Sequence, residues 1–372
     1  MCPYDALMTD QPSLRVAVLG MGAVGLASAA LLASRGHHPV PWSPRSAGPV
    51  SRLEAEGALQ LSAPVETAPS CAAAVAGADA VLVAVPATGY RPVLDGLAAA
   101  LRPGQPVMIS GHLSFGALYL AKLLAARGVS APIVAWGTTV VSGRRTAPGC
   151  VRVSSVRTEV DIATVLPADA APMLALCQTL FGERFRMRGL LAVALSNVNP
   201  QNHLAIALCN FTRMERGETW FQNTNITDAV GRLMEALDAE RLVIAEAFGV
   251  TVRTLRQHFH LSFHAPEAPL GEMARVLAAA GQNPAAPASL ETRYVLEDAP
   301  FGLYPTVLLG RMCGRPAALH EAGLLMLSAL YGRDLAEDND IVATLGLADM
   351  SVGALQRLAG ERTPMPAPES PA

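Results

Sequence analysis

The chain has a single lysine, Lys122, so all but one of its 28 basic residues are arginine. Any reaction that needs a catalytic lysine must use that residue, which lies in GALYLAKLLAARG, an ordinary amphipathic helical pattern. Charge of either sign is scarce, at 16% of residues against roughly 25% in a typical soluble chain. The net charge of −3 leaves no basic footprint for nucleic acid or anionic lipid. No apolar run approaches the roughly 18 residues of a membrane span, so no membrane partner is expected. The six cysteines (Cys2, Cys71, Cys150, Cys177, Cys209, Cys313) include no C-x-x-C pair. That argues for reduced thiols in a cytoplasm and against a zinc site or disulfide frame. The leading MCPYDALMTDQPS has acids where a secretory leader needs basic residues, in keeping with a cytoplasmic location.

What is present is aliphatic. With 372 residues, 51% of them hydrophobic, the chain exceeds what one compact core holds, and two domains are expected. Residues 14–20, LRVAVLG, form a short β-branched run that leads directly into GMGAVG. A helical pattern with Val24, Ser28, Leu31 and Leu32 on one side follows and ends at Gly36. The glycine fingerprint thus sits between a strand and a helix, where a dinucleotide site needs it. Gly20 permits the tight turn, Gly22 lets backbone approach a pyrophosphate, and Gly25 lets helix pack on sheet. The phosphates would meet the helix N-terminus at Ala23 and Val24.

An NAD site usually has an acid about 20 residues further on, at the end of the second strand. Here that strand, HHPVPW, ends in SPRS, which offers Ser43, Arg45 and Ser46 and no carboxylate. A guanidinium and two hydroxyls can bind a 2′-phosphate that an acid would repel, so NADP(H) is expected over NAD(H). DAVLVAVP (79–86) reads as a buried strand whose end should pass the nicotinamide ribose near Pro86 and Ala87. PVMIS (106–110) and PIVAW (132–136) are further strands, and CVRVSSVR with EVDIATVL (150–166) reads as a strand pair extending the sheet. The fold class expected is an α/β Rossmann domain with a doubly wound, mostly parallel sheet, followed by an all-α C-terminal domain. Its bounds are a flexible arm over 1–13, the nucleotide domain over 14–190, a helical substrate domain over 191–360 and a disordered tail over 361–372.

Past residue 190 the periodicity becomes helical. TDAVGRLMEALDAERLVIAEAFG (227–249) opens at Thr227–Asp228 and closes at Gly249, and 203–217, 251–263, 304–313 and 317–331 also read as helices. HAPEAPLG and GQNPAAPAS suit loops. In SNVNPQNHL (196–204), Asn199 and Pro200 read as N-cap and first helical residue, which puts His203 in the first turn. A carboxylate beside that imidazole would fix its tautomer. Glu297 and Asp298, in TRYVLEDAPFG before a proline turn, are candidates, and so is Asp228; residue types alone do not choose among them. His258, His260 and His264 share one segment, but only the last two have helical i, i+4 spacing and no acid accompanies them, so no metal is expected.

NPQNH, the long helix containing LDAERLVIAEAFGV, and RYVLEDAPFG together resemble the octopine/nopaline (opine) dehydrogenase family, over roughly residues 14–330. The resemblance implies NADH- or NADPH-dependent reduction of the imine formed between an α-keto acid and an amino acid. It implies His203 as the catalytic acid/base and Asp298 as its orienting partner, with Arg293 a candidate for a substrate carboxylate. Asn199, Trp220 of ETWFQNTN and Thr139 of AWGTTVVSGRR are expected on the substrate side. The chain departs from the family at Leu204, where many members have proline after the histidine, and in the segment 135–145. These departures concern which amine and keto acid react. A ketopantoate-type reductase would need a cleft lysine, for which Lys122 is misplaced. A reductase of preformed imines and a non-catalytic NADP(H)-binding regulator are the other readings. Nothing in the sequence fixes the oligomeric state, although such helical domains often pair as homodimers.

Overall fold

A computed structural model of the chain describes residues 12–45 and 48–361. The expected arm over 1–13, most of the expected tail and Ser46 lie largely or wholly outside these residues. The chain divides into two compact units: residues through His112 with Ala117–Arg188, and Leu113–Gly116 with the residues from Gly189 onward.

The first unit is built on a seven-stranded sheet ordered β11-β10-β7-β6-β5-β1-β2. Its strands are β1 (Arg15–Leu19), β2 (His38–Trp42), β5 (Ala80–Val83), β6 (Val107–Ile109), β7 (Ile133–Trp136), β10 (Val160–Thr164) and β11 (Phe185–Met187). The five strands from β7 to β2 run parallel, while β10 pairs antiparallel with β7 and parallel with β11. Helices α1 (Ala23–Ser34), α2 (Cys71–Val75), α3 (Tyr90–Ala100), α4 (Gly116–Ala126) and α5 (Ala170–Phe181) connect them. Val16, Val18 and Leu82 on one face and Ala17, Leu19, Val81 and Val83 on the other are all but inaccessible, the burial on both faces that parallel strands require. Because β2 and β5 flank β1 on opposite sides, the chain reverses its winding at the C-terminal end of β1. In doubly wound sheets that crevice is where ligands bind.

The expected pairing of 150–156 with 160–166 does not occur. β9 (Cys150–Val156) belongs to a separate four-stranded sheet ordered β4-β3-β9-β8, with β3 (Arg52–Gly57), β4 (Leu61–Pro64) and β8 (Val141–Ala147). β9 folds back on β8 as an antiparallel hairpin and runs parallel to β3, whereas β10 joins the main sheet beside β7. Its alternation of buried Val151 and Val153 with exposed neighbours suits a sheet solvated on one face, unlike the continuously apolar β5 and β7.

The second unit is helical, with α6 (Leu190–Leu195), α7 (Asn199–Cys209), α8 (Phe211–Glu215), α9 (Asp228–Ala247), α10 (Leu255–Phe263) and α11 (Leu270–Ala279). It continues through α12 (Arg293–Leu296), a π-helical segment over Ala299–Leu303, α13 (Tyr304–Met312), α14 (Ala318–Tyr331), α15 (Asp340–Leu345) and α16 (Val352–Leu358). α9 begins where Thr227 Oγ1 accepts the Val230 N–H, and it ends at Gly249, whose φ of +72° suits a residue without Cβ. The single helix expected over 203–217 is two, broken at Asn210, whose side-chain amide donates to the Ile206 carbonyl. α11 lies where no helix was expected. It packs close to α9, since a Cβ on Gly231 would stand 2.6 Å from the Gly271 nitrogen. Among the described residues no helix is long and apolar enough to cross a membrane, and no three His, Cys, Asp or Glu side chains are grouped to hold a metal.

Candidate active site

The glycine loop of the first unit separates packing from ligand demand. A Cβ on Gly20 would stand 2.3 Å from the Ala84 carbonyl oxygen, and one on Gly25 would stand 1.9 Å from the Gly20 oxygen. Both glycines are therefore imposed by the protein's own close approach of α1, the loop and the end of β5. Gly22 is different, because a side chain there would meet nothing within 4 Å. The missing side chain at Gly22 answers no packing demand inside the protein, and the residue precedes the first N–H groups of α1 at Ala23 and Val24, which have no intrahelical partner. These residues fit a dinucleotide pyrophosphate. Pro86 and Ala87 follow β5, with Ala87 opening a short 3-10 turn.

Beside the loop lies a cavity of about 260 Å³. Ser43, Arg45, Met21 and Gly22 line it, as do Val50, Arg145 and Gly149. No sequence pattern singles out Arg145. It is one of two consecutive arginines in a polar strand, and its arrival beside Arg45 depends on pairing between β3 and β9. Thr139, between β7 and β8, is also in this unit, half-buried with its methyl facing Gly111.

In the helical unit, His203 Nδ1 lies 2.7 Å from Asp298 Oδ2, with the two residues only 8% and 1% exposed. A buried carboxylate accepts, so Nδ1 carries the hydrogen and Nε2 is left to exchange a proton. Neither rival acid reaches the imidazole. Glu297 pairs with Arg293 at 3.3 Å, and Asp228 pairs with Arg275 at 2.7 Å. Helical spacing explains the division: 293 and 297 share one face and 294 and 298 the next. Tyr294 consequently sits with Asp298, and its ring stacks on His203 with centroids 3.6 Å apart and planes 11° from parallel. Its hydroxyl donates to Gln222 Oε1 at 2.6 Å. Burial holds this phenol above its ordinary pKa, against the Arg293 cation and with help from the Asp298 charge, so it stays neutral. Tyr294 was overlooked in the sequence, although its i, i+4 relation to Asp298 was there to see.

α7 begins one residue earlier than expected. Asn199 is its first residue and Pro200 its second, because Asn197 Oδ1 takes the Asn199 N–H at 3.1 Å. A second histidine–carboxylate pair anchors this helix. Glu240 Oε2 accepts from His320 Nδ1 at 2.8 Å, leaving His320 Nε2 to accept from the Gln201 amide at 2.9 Å. The proline turn expected after Asp298 is the π-helical segment, held by Asn339 Nδ2 donating to the Pro300 carbonyl at 2.8 Å. Of the other substrate candidates, Asn199 is exposed, Trp220 is buried with Nε1 donating to the Pro287 carbonyl at 2.8 Å, and the Arg293 side chain is largely exposed beyond its pair with Glu297. His260 Nδ1 is bonded to the Ala265 carbonyl at 2.8 Å.

Gly302 joins the two halves of the dyad, since a Cβ there would stand 2.3 Å from Pro200 Cγ. Proline is rigid and both backbones are helical, so neither side can yield cheaply. Gly302→Ala should destabilise the unit by about 1–3 kcal/mol in chemical denaturation. It should also slow turnover by parting His203 from Asp298. Wild-type stability and rate in this variant would show that the contact constrains neither.

The helical-domain model of NAD/NADP octopine/nopaline dehydrogenases matches residues 186–331, and the N-terminal model of NAD-dependent glycerol-3-phosphate dehydrogenases matches residues 15–117. The chain is 30% identical over 357 residues to the opine dehydrogenase of Arthrobacter sp. (strain 1C), covering 91% of this chain and 97% of that one. Its fold is similar to octopine dehydrogenase solved with NADH and L-arginine, with a TM-score of 0.74 and 17% identity over 95% of this chain and 100% of that one. It is also similar to yersinopine dehydrogenase with NADP+ bound, at 0.68 and 15% over 94% and 98%.

Proposed function

The chain belongs to the octopine/nopaline (opine) dehydrogenase family of NAD(P)H-dependent oxidoreductases acting on CH–NH, and from that premise we propose that it condenses an α-keto acid with an amino acid and reduces the resulting imine, using NADPH. The observation that carries the chemistry is the buried His203–Asp298 pair. NADPH, held at the glycine loop, would supply a hydride to the imine carbon. His203 delivers a proton from Nε2 to the nitrogen, so that C=N becomes CH–NH, and it accepts that proton in the reverse direction. Asp298 holds the ring through Nδ1 and offsets the charge of the imidazolium form. Tyr294 fixes the ring plane from its face and excludes water there. Arg293 is the proposed partner of a substrate carboxylate, with Asn199, Trp220 and Thr139 proposed on the substrate side.

The loop at Gly20, Gly22 and Gly25, with Ala23 and Val24, would hold the pyrophosphate, and Pro86 and Ala87 would border the nicotinamide ribose. Ser43 and Arg45, with no carboxylate lining their cavity, favour NADPH over NADH. Ser46, proposed in the same role, lies outside the described residues.

The test is NADPH oxidation with pyruvate, oxaloacetate, 2-oxoglutarate and glyoxylate, each with and without amino acids. Consumption should require both partners and yield a secondary amine dicarboxylate. Oxidation that proceeds equally without any amine would replace this reading with a keto reductase or a reductase of preformed imines. In the active pair, kcat/KM should be at least about tenfold higher with NADPH than with NADH, the size of one charge-assisted contact. Equal values would remove the cofactor preference.

A further inference from the structure

We propose that Arg145, delivered by the β8–β9 hairpin, is the second arm of a guanidinium clamp whose first arm is Arg45, and that the two grip the 2′-phosphate of the adenosine ribose. This rests on the NADP(H) reading above and adds a residue a hundred positions away to it. Both arginines line the cavity that opens beside Gly22. Once the pyrophosphate is assigned to the glycine loop, the remaining anionic group of NADPH is the one on the 2′ carbon.

Charge supports an anion there. Arg52 and Arg152 in the same small sheet are satisfied by Glu54 and Glu56, each at 2.8 Å. Arg45 and Arg145 make no such pair among the described residues, and no carboxylate lines their cavity. Two guanidiniums in one cavity repel until a dianion sits between them. A ribose diol, which is what NADH presents at that place, cannot neutralise either one.

The hairpin is built to hold its arm in place. The β8–β9 register shifts between Arg145 and Ala147, a bulge that re-aims the side chains beside it. Arg145 Nε donates to the Ala147 carbonyl at 3.3 Å, which leaves the two terminal nitrogens of the fork for a ligand. The hairpin turn is stitched to the segment after Arg45. Gly149, with φ of +74°, has no room for a Cβ, which would stand 2.5 Å from the Arg52 oxygen, and its carbonyl accepts the Glu54 N–H at 2.9 Å. The four-stranded sheet thereby holds Arg145 against the segment from Val50 onward that follows Arg45.

The experiment measures binding to the full-length protein by calorimetry, with four probes: 2′,5′-ADP, 5′-AMP, NADPH and NADH. Wild type should bind 2′,5′-ADP more tightly than 5′-AMP. Arg145→Ala should weaken 2′,5′-ADP and NADPH about 10- to 100-fold and leave 5′-AMP and NADH within about twofold. Arg145→Lys should keep part of the loss from appearing, since it retains charge without the fork. Arg144→Ala, on the opposite face of the same strand, should change none of the four and controls for damage to the hairpin. Equal weakening of NADH and NADPH by Arg145→Ala would overturn the clamp in favour of stacking on adenine. No weakening at all would make Arg145 a solvated side chain. If Arg45→Ala abolishes the preference while Arg145→Ala preserves it, the NADP(H) reading stands and the clamp fails. If wild type binds 2′,5′-ADP and 5′-AMP alike, both fail.

Discussion

Replacing His203 by alanine is expected to lower kcat about 10²- to 10⁴-fold while NADPH affinity stays within about twofold of wild type. The imidazole is the proposed proton-transfer group, and its surroundings in the helical unit are ordered around it. Its Nδ1 is engaged by Asp298, its face is covered by Tyr294, and its backbone is anchored through the neighbouring Gln201. Asp298→Asn should cost a comparable factor. The amide can still accept from Nδ1, but it removes the negative charge that stabilises the imidazolium as the proton moves. Since the two act as one unit, the double variant should be no slower than the slower single variant. Multiplicative losses would show that they act separately, and a full rate in Asp298→Asn would remove that carboxylate from the chemistry. Stopped-flow absorbance of nicotinamide in single turnover is the measurement, because it separates hydride transfer from product release.

The largest loss of stability should come from Arg241→Met, at about 3–5 kcal/mol. Arg241 is 1% exposed and donates to Asp238 Oδ1 from both Nε and Nη2, at 3.0 and 2.6 Å. It also caps the Leu195 carbonyl at the end of α6 and the Arg253 carbonyl ahead of α10, while Asp238 Oδ2 accepts the Leu255 N–H at 2.7 Å. One ion pair on α9 thus secures the end of the helix before NPQNH and the start of α10. The methionine variant strands a buried carboxylate and two carbonyls. Adding Asp238→Leu should recover part of the loss by replacing the stranded charge with packing. Urea denaturation gives both numbers, and a loss below about 1 kcal/mol for Arg241→Met would mean that water reaches the pair.

The parts of this protein that local chemistry determines were legible in its sequence. Strand, glycine turn and helix over 15–34 follow one another without any distant partner, and the capped helix α9 carries its own start and stop signals. The small sheet was misread because β3 and β9 meet across nearly a hundred intervening residues, and nothing in either strand's composition names its neighbour. Arg145 was missed for the same reason. α11 escaped notice because a proline-rich loop and a glycine turn bracket ten residues whose apolar face is complete only against α9. Choosing between Glu297 and Asp298 required knowing which face of α12 meets α7. Adjacent residues on a helix point about 100° apart, and their side chains are otherwise alike.

That angular difference gives the π-helical segment over Ala299–Leu303 its significance. A π-turn accommodates one residue more than an α-turn, as though a single codon had been inserted into an older helix running on into α13. The wider turn absorbs that surplus locally, so the helical faces before it and after it stay in phase. Tyr294 and Asp298 can therefore face His203 although the chain carries one residue more than a regular helix would hold between them and α13.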